Sequence, residues 1–353
     1  MLIRKEENWE QLRLSPSSTI LEAAKTLEEA GTRIALVVDG LGNLVGIVTD
    51  TEIRRGLLRG LSGQDPCEQV AKKAPRVVSA DASASKVQRI MTKESLVALP
   101  MLSGDEKLAG VWVAYPSKAE YPNPVVIMAG GRGTRLAPLT LETPKPLVRV
   151  GSRPMLDYLL DGLANEGFQN VIIAVNYLGK QVEEFVGDGS NWRLSVSYLR
   201  ENSPLGTAGA LGLMTAKPDL PVLVMNADVL TAARMADIVD HHSGSVHQIS
   251  VGMRLHDLEH PFGVLEIEGG QVLGIREKPV WREFVSAGVS VISPEILDLV
   301  EADSYLDMPD LVSLAIEKGF TVGGFPMHES WVDIGTPDDF TRAQDLLGGT
   351  EKK

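Results

Sequence analysis

The stretch Gly130–Leu147, GGRGTRLAPLTLETPKPL, concentrates the residue types that handle phosphate. Gly130, Gly131 and Gly133 strip side chains from a short run of backbone, so its N–H groups can close around an anion. Arg132 and Arg135 add positive charge. Ten residues past Arg135, Lys145 stands between Pro144 and Pro146, which restrict the backbone around it and therefore where its ammonium can reach. The spacing is neither G-x-G-x-x-G nor a glycine loop closed by Gly-Lys-Ser or Gly-Lys-Thr, so two common nucleotide-binding fingerprints are excluded. The background sharpens the signal: 34 Lys and Arg stand against 47 Asp and Glu, a formal net charge of -13. That balance repels a nucleic-acid backbone and excludes a general nucleic-acid binder, so the basic cluster must serve a local anion.

Other reactive residue types carry less. His256 and His260 are four apart, but Pro261 follows and no Glu sits after His256, so no zinc site is expected there. His241 and His242 read as an exposed helix end. The single cysteine, Cys67, cannot form an internal disulfide, which suits a reducing compartment and points to the cytoplasm. No apolar run approaches the ~18–20 residues of a membrane helix, and Met1–Trp9 mixes both charges, so neither a span nor a targeting peptide is expected.

The elements that must position these groups follow from hydrophobic patterning. Short apolar runs at Pro124–Ala129, Asn170–Val175, Pro221–Met225 and Ile249–Met253 alternate with helical stretches such as Pro154–Asn165 and Leu178–Phe185. This is the pattern of an α/β domain whose mainly parallel sheet binds ligands at the C-terminal ends of its strands. The glycine loop follows the first run, and Asp228 follows the third. Ahead of a proline-bearing segment, Ala114–Pro124, lies an internal repeat of helix, strand, turn and strand. Gly46 matches Gly110 at an offset of 64, which also aligns Ser18 with Ala82 and Leu36 with Pro100. The expected organisation is a smaller α+β module over residues 1–116, a linker over 117–124 and the α/β domain over 125–349.

On these residues, GG-x-GTRL-x-PLT-x-x-x-PKPL resembles the signature of the sugar nucleotidyltransferases, with mannose-1-phosphate guanylyltransferases nearest. The resemblance implies a Rossmann-like fold. It also implies transfer of a nucleotidyl group, GMP from GTP by preference, to a sugar 1-phosphate with release of pyrophosphate. Arg135 would grip the triphosphate, Lys145 would steady the phosphates, and Gly130, Gly131, Gly133 and Thr134 would form the backbone cradle. Asp228, in VMNADV, and Asp333, in WVDIGTPDDF, match the family's Mg²⁺ carboxylates. The loop ENSPLGTAGAL would read the base through Glu201, Gly206, Thr207 and Ala208. In REKP, Glu277 would take sugar hydroxyls and Lys278 would neutralise the sugar phosphate; Gly263 in PFGV, and Ser286, Ala287 and Gly288, match further sugar loops. Ser286 stands where the mannose-type enzymes carry Asn, which leaves the sugar open.

Residues 8–115 resemble a tandem pair of CBS domains, a fold that often binds adenosine nucleotides. Thr49 matches the ribose-binding Thr of a GIVT-x-x-D turn, with Glu52 in place of the usual Asp. The second copy, GVWVAYP, keeps neither group. A homo-oligomer is expected. Two further readings stay open: a UTP- or dTTP-dependent enzyme, and a non-catalytic subunit that senses sugar nucleotide.

Overall fold

The computed structural model describes residues 2–115 and 120–348. In the N-terminal module the repeat emerges as two four-stranded sheets related by the 64-residue offset. In the first, Arg13–Leu14 runs parallel to Ala35–Val38, followed by antiparallel Leu44–Val48 and Lys72–Lys73. In the second, Val78–Ser79 runs parallel to Ala98–Leu102, followed by Leu108–Tyr115 and, from the chain start, Leu2–Lys5. Val37 faces Gly46 as Met101 faces Gly110, and each pair is followed by a bulge. Asn43 and Lys107, also 64 apart, bridge each other where the copies meet, and Lys107 Nζ donates to Asn43 Oδ1 at 2.7 Å. Leu12, Ile34, Leu36, Val38, Ala98, Val111 and Val113 make the core between the sheets. The Ile20–Ala30 helix starts at a capping box: Thr19 Oγ1 accepts from Glu22 N–H and the Glu22 carboxylate accepts from Thr19 N–H.

Of the expected linker, residues 117–119 lie outside the described residues. Tyr121 already belongs to the second domain: it stacks on Phe168 at 5.1 Å, and its N–H donates to Gly167 O.

That domain is built on a seven-stranded sheet in the order Ser195–Arg200, Asn170–Val175, Val125–Met128, Val222–Asn226, Val280–Ile292, Ile249–Glu259, Val322–Pro326. Every strand is parallel to its neighbours except Val280–Ile292, which is antiparallel to both strands beside it. From Val125–Met128 the chain first builds outward one way, then returns to place Val222–Asn226 on the other side. The point between these two strands is where open α/β sheets bind ligands. Helices Met155–Glu166 and Met235–Ser243 cover one face and Met308–Glu317 the other, each burying aliphatic side chains against the sheet.

Two local expectations change. The strand read as ending at Met253 runs on to Glu259, because cross-strand pairing with Val280–Ser286 carries it past the apolar run. His256 lies on this extended arm, and His260 follows it with its N–H donating to Pro279 O. His242 is buried, with Nδ1 2.9 Å from Ser250 Oγ and Nε2 3.1 Å from Ser293 Oγ, not exposed at a helix end.

The two domains meet along the first repeat. Arg33 reaches Asp237 at 2.8 Å and Asp50 at 3.6 Å. The buried guanidinium of Arg54 donates to Pro326 O and to the Glu329 carboxylate, and lies 4.1 Å over the Phe325 ring. His328 Nε2 is 3.2 Å from Asp50, and Ser330 Oγ donates to Glu28 at 3.1 Å. Leu255 packs against the apolar core of the same repeat.

Candidate active site

The glycine loop leaves the Val125–Met128 strand at the switch point. A Cβ at Gly130 would lie 2.6 Å from Glu201 Oε1 and 3.2 Å from Asn176 Cβ, so glycine lets the loop pass without displacing that carboxylate. Gly133 holds φ +61° with Thr140 and Lys145 closing on it, and Thr140 Oγ1 donates to its carbonyl at 2.8 Å. Buried Leu136 anchors the Thr134–Leu136 turn, leaving Thr134 and Arg135 exposed toward the cleft. The Arg135 guanidinium lies against Gly335, whose Cβ position is 3.3 Å away.

Lys145 sits between buried Pro144 and Pro146, and its ammonium is ion-paired with Asp228. Asp228 and Asp333 are brought together by a two-stranded ladder in which Val229 pairs with Asp333 and Ile334 N–H donates to Asp228 O at 3.0 Å. One oxygen of each carboxylate, Asp228 Oδ1 and Asp333 Oδ1, is buried without a hydrogen-bond partner. Burial, and then the neighbouring charge of Asp228, pushes the Asp333 carboxyl above the ordinary range. Buried carboxylate oxygens from a turn and the strand beside it, with nothing bonded to them, are the donor set a hard divalent cation such as Mg²⁺ takes.

These groups line one cavity of about 370 Å³: Gly130, Gly131, Gly133, Thr134, Arg135, Lys145, Glu201, Gly206, Thr207, Asn226, Asp228, Tyr305 and Gly335. A second cavity of about 350 Å³ shares Thr207 and Asn226 with it and adds Ser286, Gly288, Asp307 and Asp333.

The expected base-reading loop is held from behind. Gly206 takes φ +81°, where a Cβ would meet Leu306 O at 2.6 Å. Thr207 N–H donates to Asp307 Oδ1 at 2.9 Å, while Ala208 N–H donates to Leu306 O. Ala208 is fully buried in the core behind the loop rather than at the cavity wall. Glu201 Oε2 accepts from Leu205 N–H at 3.0 Å, so part of this carboxylate shapes the loop itself, and burial raises its pKa.

The sugar-side residues divide. Gly288, at φ +73°, packs against Val229 and Asn226, and Ser286 lines the second cavity with it. Ala287 is buried, its carbonyl accepting from Trp331 Nε1 at 3.0 Å. Gly263, Glu277 and Lys278 sit instead on the projecting arm and line neither cavity. There Gly263 faces Glu277 Oε2, and Lys278 holds φ +43°, a costly conformation for a side-chain-bearing residue. In the N-terminal module, the Thr49 hydroxyl donates to Glu52 and both side chains are largely buried.

Asn226, Tyr305 and Asp307 escaped the sequence reading. Asn226 was legible as the neighbour of Asp228 in VMNADV; Tyr305 and Asp307 lie in a loop without motif or periodicity and reach the site through the tertiary fold.

Residues 124–348 match the nucleotidyl transferase family and residues 11–59 the CBS domain. Mannose-1-phosphate guanyltransferase of Pichia angusta is 33% identical over 233 residues, which cover 61% of each chain. Mannose-1-phosphate guanylyltransferase of Mycobacterium tuberculosis is 30% identical over 231 residues, 64% of each. The chain thus spans about three fifths of the length of the curated relatives it matches. Among solved structures, a putative glucose-1-phosphate thymidylyltransferase from Bacillus anthracis superposes with TM-score 0.52 at 24% identity, covering 63% of this chain and 94% of that one. HddC from Yersinia pseudotuberculosis gives 0.50 at 25%, covering 64% and 99%. The glycine loop, the fixed lysine and the paired strand-end carboxylates stand inside the matched region, and the chain belongs to the nucleotidyl transferase family, with a CBS domain ahead of the transferase fold.

Proposed function

We propose that the protein transfers GMP from GTP to a hexose 1-phosphate, mannose 1-phosphate first among candidates, releasing pyrophosphate. The observation that carries this reading is the gathering of the Gly130 loop, Arg135, Lys145 and the Asp228–Asp333 pair at one end of the sheet. The guanylyltransferase names of the relatives support the choice of nucleotide and sugar.

A sugar 1-phosphate oxygen attacks the α-phosphorus of the triphosphate in line, and pyrophosphate leaves. The nucleophile is already anionic near neutral pH, so the site needs no general base. Its task is to bring two polyanions together and to meet the charge that develops on phosphorus and leaving group. The glycine loop offers backbone N–H groups, Arg135 and Lys145 offer charge, and the base sits against the clamped loop from Glu201 to Thr207. Mg²⁺ held by Asp228 and Asp333 would supply electrostatic stabilisation of the phosphates. On the arm, outside both cavities, Glu277 is the candidate for the sugar hydroxyls and Lys278 for the sugar phosphate.

With a single cysteine, Cys67, the chain forms no internal disulfide, and we take the cytoplasm as the site of action. An adenosine nucleotide bound at the first repeat would have to open the Thr49–Glu52 contact; titrating ATP and AMP into the protein and Thr49→Val tests this.

The deciding experiment is a matrix of nucleoside triphosphates against hexose and amino-hexose 1-phosphates with Mg²⁺, read as pyrophosphate release. GTP with mannose 1-phosphate is expected to be fastest. A preference for UTP or dTTP rejects the guanine assignment alone. No product from any pair with folded protein rejects the enzyme and leaves a sensing subunit.

A further inference from the structure

The seam between the two domains holds a cluster that the transferase chemistry does not use. Asp50 opens the Asp50–Leu58 helix of the first repeat, while His328 and Glu329 follow the edge strand Val322–Pro326 of the large sheet. One ligand atom of each lies within 4.8 Å of the others, and among the described residues no other three His, Cys, Asp or Glu converge so closely. The His328 side chain is only 7% exposed, and neither of its ring nitrogens has a hydrogen-bond partner. Its Nε2 nevertheless stands 3.2 Å from Asp50 Oδ1, and its Nδ1 3.8 Å from Glu329 Oε2. In its neutral form a ring so placed turns a lone pair toward carboxylate lone pairs, an arrangement that a cation shared among them relieves.

We propose that Asp50, His328 and Glu329 bind a divalent transition-metal ion, Zn²⁺ by preference, that ties the N-terminal module to the transferase domain. One imidazole nitrogen and two carboxylate oxygens are a donor set zinc accepts. Tetrahedral bonds of ~2.0–2.2 Å set neighbouring ligand atoms about 3.3–3.5 Å apart, close to the 3.2 Å between His328 Nε2 and Asp50 Oδ1. Mg²⁺ and Ca²⁺ take oxygen ligands, so the imidazole selects against them. The carboxylates are braced from outside: Arg54 pairs with Glu329 Oε1, and Arg33 Nε lies 3.6 Å from Asp50 Oδ2. Both guanidiniums thus leave open the oxygens nearer the ring, as partners that orient a ligand do. Glu329 Oε2 accepts from His328 N–H at 2.9 Å and keeps a lone pair for the ion. A cavity of about 190 Å³, lined by His328 with Gln64, Arg254 and Asp257, offers a way in and room for water as a fourth ligand.

Equilibrium dialysis of the full chain against Zn²⁺ in excess Mg²⁺, read by elemental analysis, tests this. A chain carrying both Asp228→Asn and Asp333→Asn removes the cleft carboxylates from the measurement. One bound Zn²⁺ is expected in that double variant. Losing a group that only orients a ligand weakens metal affinity about 10- to 100-fold, so adding His328→Gln or Asp50→Asn, which removes a ligand itself, should weaken it at least ~100-fold. Zn²⁺ should raise the melting temperature of the double variant and leave both seam variants unshifted. Co²⁺ in place of Zn²⁺ should give the double variant the visible absorption of a four-coordinate site, a readout that needs no change at the seam. A double variant that binds no Zn²⁺ or lacks that absorption overturns the proposal, as does undiminished Zn²⁺ in either folded seam variant. A melting temperature that moves with pH but not with Zn²⁺ assigns the cluster to an imidazolium held between two carboxylates and overturns the metal site as well.

Discussion

Two clusters of buried charge are treated in opposite ways. In the cleft, Asp228 and Asp333 approach each other with Lys145 on one of them, and an oxygen of each carboxylate is buried and unbonded. At the seam between the CBS domain and the sheet, Arg33 meets Asp237 and Asp50, and Arg54 meets Glu329 and a backbone carbonyl. Burial would push the Asp50 carboxyl up, but His328, Arg54 and Arg33 outweigh it and hold it below the ordinary range, while Asp333 is pushed above it. At the seam, the Arg33 and Arg54 guanidiniums meet carboxylates across the two domains, while both ring nitrogens of His328 are buried without a hydrogen-bond partner. In the cleft, the carboxylate oxygens left without a partner cost stability.

The largest effect should come from the unmatched cluster. Asp228→Asn is expected to lower turnover by at least ~100-fold, since a carboxamide poorly replaces a carboxylate facing developing charge. Its melting temperature should change little, because relief between two facing carboxylates is offset by loss of the ion pair with Lys145. Lys145→Ala should lower turnover similarly. Steady-state kinetics beside thermal unfolding checks both, and unaltered turnover in either would remove the contrast.

Next comes the matched cluster. Arg54→Ala leaves Glu329 and Pro326 O without their donor and should reduce stability by about 2–3 kcal/mol. Denaturant unfolding measures this. Deleting residues 1–115 should cost the transferase core less per lost ion pair, because water replaces the partners that the point variant leaves buried and unmet. That core is expected to stay folded and active; a folded but inactive core would show that the CBS domain completes the site.

The smallest effect probes a carboxylate between these extremes. Glu166 has backbone partners, accepting from Ala236 N–H at 2.7 Å, yet burial pushes its pKa up to about 6. Its neutral form is favoured in the folded state, so stability is fully present below its unfolded pKa and is lost as pH rises through about 6. Glu166→Gln should match the wild type near the acid end and exceed it at neutral pH by on the order of 1–2 kcal/mol. Unfolding curves across that window that stay parallel would reject the assignment.

What could be read without coordinates followed from locality. The glycine loop, Lys145, Asp228 and Asp333 each sit in a contiguous motif, and the 64-residue repeat reappears in the strand registers. The Leu2–Lys5 strand was not legible, because a charged edge strand owes its place to Leu108–Tyr115 rather than to its own pattern. The arm beyond Met253 was hidden in the same way, since its exposed polar residues give no apolar run. The buried His242 left a trace that went unread: it stands four residues after Ile238 and three after Val239, on the face of the helix that packs inward.

The contact between Arg135 and Gly335 has a consequence for synthesis. The glycine loop leaves the ribosome early, but the strand that pairs Asp333 with Val229 and sets Gly335 under the arginine emerges only after nearly all of the transferase fold. Domains form broadly in the order in which they are made, and pairings distant in sequence form last. A nascent chain can therefore display its glycine loop long before it can hold both carboxylates, so the proposed site is completed by one of the last strands to arrive.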